Sequence, residues 1–238
     1  MKSEPMHVRT ARRLGLLAIL AVGVGAMQAS AQDLPKKSPE GLDLIPSKAV
    51  QAVYWQQGAT LAPYKRIHLV DCFVAFRKDW QEDQNRNRRQ LSSKISSSDM
   101  ERIKGLLADL FKEVFTKELE EKGGYQVVDE VGDDVLIIRP ALINLDVAAP
   151  DVRRGGGQQM TFVASAGSMT LYMELFDSAT SALIARVIDS RAAPQRNANV
   201  SISSGVNNRA EATQLLSRWA KLLREALDEE FSGQPPVE

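Results

Sequence analysis

The sequence predicts a two-layer α+β domain, in which two amphipathic helices pack on one face of a mixed, mainly antiparallel sheet. Three observations predict this class. Two stretches repeat apolar residues at spacings of three and four, as amphipathic helices do. Other stretches are rich in β-branched and aromatic residues or alternate apolar with polar residues, as strands do. Their order along the 238-residue chain is β-α-β-β-β-β-α, without an internal repeat.

The first predicted strand spans residues 66–76 and is rich in β-branched and aromatic side chains. Alternation along a strand divides its apolar side chains between two faces. One face would carry His68, Val70, Cys72, Val74 and Phe76, and the other Ile67, Leu69 and Phe73. Residues 77–94 are polar and charged, so we interpret them as an exposed loop.

Two helices follow from apolar periodicity and end signals. The first is expected to begin at Ser98, because Ser98-x-x-Glu101 matches a capping box. It is expected to end at Gly123-Gly124, where a left-handed residue is favoured. The second spans about residues 209–231. Its predicted apolar face consists of Leu215, Leu216, Trp219, Leu222, Leu223, Ala226 and Leu227.

The remaining strands lie between the two helices. Residues 125–129 predict a short strand and residues 135–147 a long one. Pro140 within the long strand indicates an edge position or a bulge, because proline cannot donate to the ladder. Residues 166–177 alternate well, and residues 183–189 return as the partner strand of a hairpin.

Residues 1–31 are predicted to be a cleavable signal peptide. A basic start precedes the apolar run 14–26, and cleavage is expected after Ala31, at the small residues of an A-x-A-like site. The apolar run is too short to cross a bilayer, which needs about 20 residues. Arg12 and Arg13 leave the choice between general secretory and twin-arginine export open. No cysteine follows the apolar run at the cleavage site, so we expect no lipid anchor there.

The mature chain is predicted to hold one domain. Residues 32–51 are rich in Pro, Lys, Ser and Gly and are interpreted as a flexible linker, although its short apolar piece 42–45 could dock on the domain. Residues 52–231 are interpreted as a single α+β domain and residues 232–238 as a disordered tail. The whole chain has 30 basic and 30 acidic residues, and the leader holds four of the former and one of the latter, so the mature net charge is −3. That charge gives no general attraction to nucleic acid. No later apolar run has transmembrane length.

Several stretches resemble a known bacterial family. They are Tyr64-Lys65-Arg66 with Asp79-Trp80, residues 125–129 with 134–139, residues 174–180 with 183–185 and 189–191, and Trp219-Ala220 with Leu223-Arg224. On these stretches the chain is similar to the family called domain of unknown function 3313 (DUF3313). The resemblance implies an exported envelope protein of Gram-negative bacteria, of a kind that is often a lipoprotein, with no known catalytic residues. This chain departs from the family pattern because it lacks the lipid-acceptor cysteine. It also has Ser181 where a glycine commonly stands.

The sequence offers few residues for chemistry. His68 is the only histidine after the leader, which excludes any site built from two histidines. Cys72, four residues further along the strand, would lie about 13 Å from it, so the two side chains do not form a pair. We interpret Cys72, the single cysteine, as a buried small residue. The acidic turn 129–134 lacks the ligand spacing of a calcium loop. No metal or cofactor is therefore predicted.

A basic cluster forms the candidate partner surface. Arg86, Arg88 and Arg89 could hold phosphate or an acidic partner, and Trp80 offers a stacking surface beside them. The alternative is a solvated loop, because acidic residues such as Glu82 dilute the positive charge.

Two functions stay open at this point. The first is a non-catalytic binding or assembly module of the periplasm, or secondarily a secreted one, with an envelope protein as partner and no nucleic acid or integral membrane segment. Its predicted loops 77–94, 149–160 and 192–208 would be contact surfaces. The second is a hydrolase or other enzyme that uses Asp71, Cys72 or another acidic residue. The sequence identifies neither the partner nor the oligomeric state.

Overall fold

The computed structural model describes residues 34–86, 94–148, 165–192 and 205–232. The predicted leader with its cleavage site at Ala31, the predicted loop 149–160, residues 193–204 of the predicted loop 192–208, and residues 233–238 lie outside these ranges. The helices are α1 (Trp80–Arg86), α2 (Ser97–Lys117, continued by a π-helical turn, Glu118–Lys122) and α3 (Gly205–Ser232). The strands are β1 (Asp43–Ile45), β2 (Ala52–Trp55), β3 (Arg66–Leu69), β4 (Phe73–Phe76), β5 (Gln126–Val127), β6 (Val135–Ala148), β7 (Ser165–Asp177) and β8 (Leu183–Ala192).

Within these ranges the strands form one sheet with the order β1-β2-β8-β7-β6-β3-β5, and β4 pairs with β6 beyond the end of β3. The contacts of β3 with β5 and of β6 with β3 and β4 are parallel. The contacts from β1 through β2, β8 and β7 to β6 are antiparallel. This confirms the predicted mixed, mainly antiparallel sheet of an α+β fold.

The core lies between the sheet and helices α2 and α3, as predicted. Its largest side chains are contributed by the two helices and by alternate positions of the long strands. They include Leu107, Phe111, Phe115, Leu216 and Trp219 from the helices and Leu136, Ile138, Leu142, Leu171 and Met173 from the strands. In the described part of the chain, no helix combines the length and the apolar character needed to cross a bilayer.

The first predicted strand is two strands, and its predicted faces are wrong. The chain leaves the ladder after Leu69 and rejoins it at Phe73. Because the break shifts the alternation by one residue, Ile67, Leu69, Cys72 and Val74 all point into the core. Phe73 points away from it and is 63% exposed.

Pro140 is not at an edge. Strand β6 is an interior strand, with β7 on one side and β3 and β4 on the other. The carbonyl of Ile138 accepts from the backbone N–H of Val70 at 2.9 Å, so Pro140, two residues on, faces the break between β3 and β4. Position 140 therefore needs no backbone N–H to hydrogen-bond a neighbouring strand. The irregularity of β6 lies instead at Asn144, which has a φ of 53°.

The predicted linker is wrong for its described part. Residues 34–42, here called the N-terminal arm, run into β1, which pairs with β2. Leu42 is 3% exposed and packs in a cluster with Ala52 and Tyr54. The compact unit therefore begins at Leu34 rather than at residue 52. The few apolar residues of this polar stretch are enough to hold it, because they meet an apolar sheet surface.

The predicted loop 77–94 and both helix starts also need correction. The loop contains α1, and α3 begins at Gly205, before the predicted residue 209. Helix α2 is capped two residues before the predicted cap. The Ser96 hydroxyl accepts from the Asp99 N–H at 3.2 Å, and the Asp99 carboxylate accepts from the Ser96 N–H at 2.8 Å. Asp99 thus takes the place that Glu101 holds in the predicted capping box.

The two helix ends and faces agree more closely with the sequence. Gly124, at the predicted end of the first helix, has a φ of 71°, the left-handed conformation that glycine tolerates. On α3, Leu216, Trp219, Leu223 and Leu227 are buried as predicted. Ala226 is exposed, contrary to prediction. The buried alanines of this helix are Ala212 and Ala220.

Candidate functional site on the helix-free face of the sheet

The predicted partner surface loses its aromatic residue. Trp80 is 1% exposed, and its indole Nε1 donates to the carbonyl of Val147 at 3.1 Å. Trp80 is the first residue of α1 and is a core residue. Its ring stacks on that of Phe76, with the two ring centroids 4.2 Å apart. Arg86 is exposed and pairs with Asp83 at 3.2 Å. Arg88 and Arg89 lie outside the described residues.

The structure does not bring the residues of the enzyme hypothesis together. Cys72 lies on the helix side of the sheet, and burial raises the pKa of its thiol to about 12. His68 lies on the opposite face, because it alternates with the buried Ile67 and Leu69. The sequence-based expectation that His68 and Cys72 share a face is therefore wrong. The Asp71 side chain is 87% exposed and pairs with Lys112 at 3.2 Å.

The side of the sheet away from α2 and α3 is here called the helix-free face. Its side chains alternate with the core positions of the long strands, and cross-strand pairing places them in rows. The face consists mainly of Ile137, Arg139, Ala141 and Ile143 on β6, Thr170, Tyr172, Glu174 and Phe176 on β7, and Arg186 and Ile188 on β8.

Four charged side chains alternate in sign across this face, and we call them the charge ladder. Glu174 lies directly between Arg139 and Arg186 in the strand register. Arg139 Nη2 and Nε donate to its Oε2 at 2.5 and 3.1 Å, and Arg186 Nη2 and Nε donate to its Oε1 at 2.7 and 3.1 Å. Arg186 Nη1 donates to Glu40 of the N-terminal arm at 2.7 Å. The order of charges is therefore Glu40, Arg186, Glu174, Arg139.

The ladder holds its groups in their charged forms. Burial opposes ionisation of Glu174, but hydrogen bonds from Arg139 and Arg186 outweigh it and keep the pKa of Glu174 below its usual value. The hydrogen bond from Arg186 lowers the pKa of Glu40 to about 2. The same contact raises the pKa of Arg186 further above its usual range. A carboxylate held this way is suited to fixing a geometry rather than to exchanging protons near neutral pH.

The N-terminal arm covers one half of the helix-free face. Leu42 packs there on Ala52 and Tyr54, with Ile188 at the margin of the cluster. Arg186, under this cover, has a side chain only 8% exposed.

The other half of the face, over β7, β6 and β4, is here called the exposed half. The Arg139 side chain is 59% exposed and lies over the Phe176 ring, 4.6 Å from its centroid. Next to it is Phe73, which forms a register pair with Ala141. Among the described residues, Phe73 and Val131 are the large apolar side chains that stay exposed, and Val131 lies in the turn before β6 instead.

Sequence reasoning missed the charge ladder, although a signal for it was present. Glu174, Arg139 and Arg186 all occupy positions that alternate with the core residues of their strands, where polar side chains are expected to face solvent. What the sequence lacked was the strand register, which makes the three side chains neighbours.

The acidic turn before β6 is neutralised locally. Arg66 Nη2 contacts Asp134 at 2.6 Å, and its Nη1 pairs with Glu130. Within the described ranges, no group of three or more His, Cys, Asp or Glu side chains has the arrangement of a metal site.

Comparison with known proteins gives a family match and distant structural likenesses. The family model described as protein of unknown function DUF3313 matches residues 43–223. No curated protein matches the chain.

The structural likenesses include three solved structures. Two are PelC dodecamers from Paraburkholderia phytofirmans. One has a TM-score of 0.35 and 10% identity and covers 72% of this chain and 95% of that one. The other has a TM-score of 0.29 and 9% identity and covers 70% and 96%. A protein named as a lipoprotein, from Caulobacter crescentus CB15, has a TM-score of 0.28 and 14% identity and covers 55% and 87%. Likenesses at these scores carry no information on function.

Proposed function

This chain belongs to the DUF3313 family of proteins of unknown function, and we propose that it is an exported binding module that holds another envelope component on the helix-free face of its sheet. The predicted leader and cleavage after Ala31 support export to the periplasm. N-terminal sequencing of the protein from cells tests this part. A mature chain that starts at Gln32 is expected, and an uncleaved Met1 would contradict export.

The observation that carries the proposal is the exposed Phe73 beside the exposed Arg139. Phe73 lies directly on the sheet, in a row with Ala141 and Tyr172, rather than at a loop tip. A sheet usually buries both apolar faces or keeps one polar. Here the second face mixes apolar side chains with the charge ladder, and within the described ranges the protein's own arm covers only one half of it. Aromatic and arginine side chains are the types enriched at protein interfaces.

The enzyme hypothesis has weaker support. A nucleophilic cysteine needs a lowered pKa and access to solvent. Cys72 is 8% exposed, and burial raises its pKa to about 12. The buried carboxylate of Glu174 is held by two arginines. Neither residue presents a reactive group to a substrate, so a binding role is favoured.

Site-specific photocrosslinking in intact cells tests the binding face. A photoreactive phenylalanine analogue at position 73 is expected to give a discrete adduct with an envelope protein. The matched control is the same analogue at Val131, which is equally exposed (68% against 63%) but lies in the turn before β6. Equal adducts from both positions, or only free protein from position 73 across growth conditions, would contradict the proposal.

A further inference from the structure

We propose that the exposed half of the helix-free face binds a turn-forming segment of a partner protein that carries a carboxylate beside an apolar side chain, with the carboxylate on Arg139. This inference rests on the proposed binding function and specifies the chemistry of the partner. Three features of the face support it: the way in which the N-terminal arm is held, the continuity of the rows beneath it, and the unfinished end of the charge ladder.

The N-terminal arm shows what kind of segment this face holds. Its Glu40 carboxylate accepts from Arg186 Nη1 at 2.7 Å. Two residues later, Leu42 is buried to 3% exposure on Ala52 and Tyr54. The backbone N–H of Ser38 donates to the Leu42 carbonyl at 2.8 Å and closes a tight turn around Glu40. Leu42 thereby reaches Ala52 and Tyr54, which are the register partners of Ile188 and Arg186. The arm thus covers the β2 end of two neighbouring rows of the sheet.

The same two rows continue beyond the arm. The apolar row runs through the register pairs Ala52–Ile188, Ile188–Tyr172, Tyr172–Ala141 and Ala141–Phe73. The charged row runs beside it through Arg186, Glu174 and Arg139. Neighbouring strands are about 4.8 Å apart, so an arginine recurs in the charged row after two strands, with the carboxylate of Glu174 between the two arginines. The arm covers the β2 and β8 end, and Phe73 and Arg139 form the exposed end.

The charge ladder is incomplete at its exposed end. Arg186 lies between two carboxylates, those of Glu40 and Glu174. Arg139 directs its Nε and Nη2 to Glu174 alone, and its Nη1 has no hydrogen-bond partner within the described ranges. A guanidinium has five N–H donors and pairs well with carboxylates. A carboxylate at Arg139 would repeat the contact that Glu40 makes with Arg186.

A synthetic peptide of residues 36–45 is the direct probe, because it carries both Glu40 and Leu42. The labelled peptide is titrated with the mature chain, residues 32–238, and binding is followed by fluorescence anisotropy. Arg139→Gln and Phe73→Ser are each expected to raise Kd by about tenfold, the effect of losing roughly 1.4 kcal/mol of binding energy. The peptide with Glu40→Gln is expected to bind the unaltered protein about tenfold more weakly and to be insensitive to Arg139→Gln.

Matched controls separate the face from general surface effects. Arg209→Gln removes an arginine of similar exposure (55% against 59%) from α3, and Val131→Ser removes the other exposed apolar side chain. Both controls are expected to leave Kd unchanged. Thermal unfolding of every variant shows whether it is folded. We expect all of them to fold, because the side chains of Arg139 and Phe73 are exposed.

Three results would overturn the inference. The first is no binding of the peptide at a concentration of about 1 mM. The second is binding that Arg139→Gln and Phe73→Ser leave unchanged. The third is binding that responds to Arg186→Gln alone, which would mean that the peptide replaces the protein's own arm. If position 73 crosslinks to an envelope protein in cells and the peptide nevertheless fails these tests, the binding function stands and the proposed chemistry of the partner segment fails.

Discussion

At the residue scale, the buried polar side chains of this protein are held by several partners at once. Asp189, 1% exposed, accepts from Trp219 Nε1 at 2.8 Å, from Arg191 Nε at 2.7 Å and from the Gln51 N–H at 3.1 Å. This one carboxylate therefore joins β8 to α3 and to the segment before β2. The buried carboxylate is tolerated because hydrogen bonds compensate it, whereas an unpaired buried charge would be strongly destabilising. The buried Cys72 thiol, in contrast, makes a long contact to the Phe73 carbonyl at 3.6 Å.

The Cys72 thiol is expected to be unreactive in the folded protein. Burial raises its pKa to about 12, whereas an unfolded cysteine has a pKa of about 8.5, so the thiolate fraction at pH 8 falls by about a thousandfold. Reaction with a chromogenic disulfide reagent should therefore be slow without denaturant and fast in concentrated urea. Rapid reaction of the folded protein would contradict the placement of Cys72 in the core.

At the element scale, short polar contacts determine where helices begin and how they are joined. Helix α2 begins at the reciprocal pair of Ser96 and Asp99. Its π-helical end is tied to α3 because Arg224 Nε donates to Glu118 at 3.1 Å. The two helices therefore form one layer over the sheet rather than two separate elements.

Because Ser96 caps helix α2 and Ser98 does not, we expect replacement of these two serines to affect stability differently. Ser96→Ala is expected to reduce the free energy of unfolding by about 1 kcal/mol, the usual effect of losing a helix N-cap. Ser98→Ala, which removes the cap expected from the sequence, should change it much less, because Ser98 lies inside the helix and is exposed. Urea denaturation of both variants measures the difference. A larger loss for Ser98→Ala would contradict the observed helix start.

At the scale of the whole molecule, paired carboxylates couple stability to pH. Glu118 and Glu174 are both nearly buried, with side chains 7% exposed, and both have partners on other elements. Burial works against ionisation of each, but hydrogen bonds from Lys122 and Arg224 and from the two ladder arginines keep both pKa values below the usual 4.5. Their contribution to stability is therefore complete above the unfolded pKa and is lost as pH falls through the lowered folded pKa.

We therefore expect the free energy of unfolding to fall as pH is lowered below about 4.5, the ordinary glutamate range. Urea denaturation at pH 7, 5, 4 and 3 measures this slope. Glu174→Gln should be less stable at pH 7, because it leaves two arginines facing each other, and should show a shallower acid slope. Glu101→Gln, whose side chain is 71% exposed, is the matched control and should behave like the unaltered protein. An equal acid slope in both variants would contradict the role of Glu174.

Much of the architecture could be predicted because it depends on local patterns. The apolar stripes of α2 and α3, the stop at Gly123-Gly124 and the strands β6 to β8 each follow from periodicity and turn residues within a few positions. The errors occur where a tertiary contact overrides the local signal. The arm around Leu42 is predicted to be a linker, but it packs on an apolar surface of the sheet. Trp80 is predicted to lie in an exposed loop, but α1 places it in the core.

The sequence by itself determined the α+β class and the two-layer arrangement, because alternation and helical periodicity are properties of the chain. Only the tertiary structure decided that Arg139, Glu174 and Arg186 are neighbours, that Glu40 completes one end of their ladder, and that Phe73 stays exposed beside the other. The physical reason is register. Which residues of separate strands face each other depends on pairing between segments far apart in the chain, and the break after Leu69 reverses the face on which Phe73 lies.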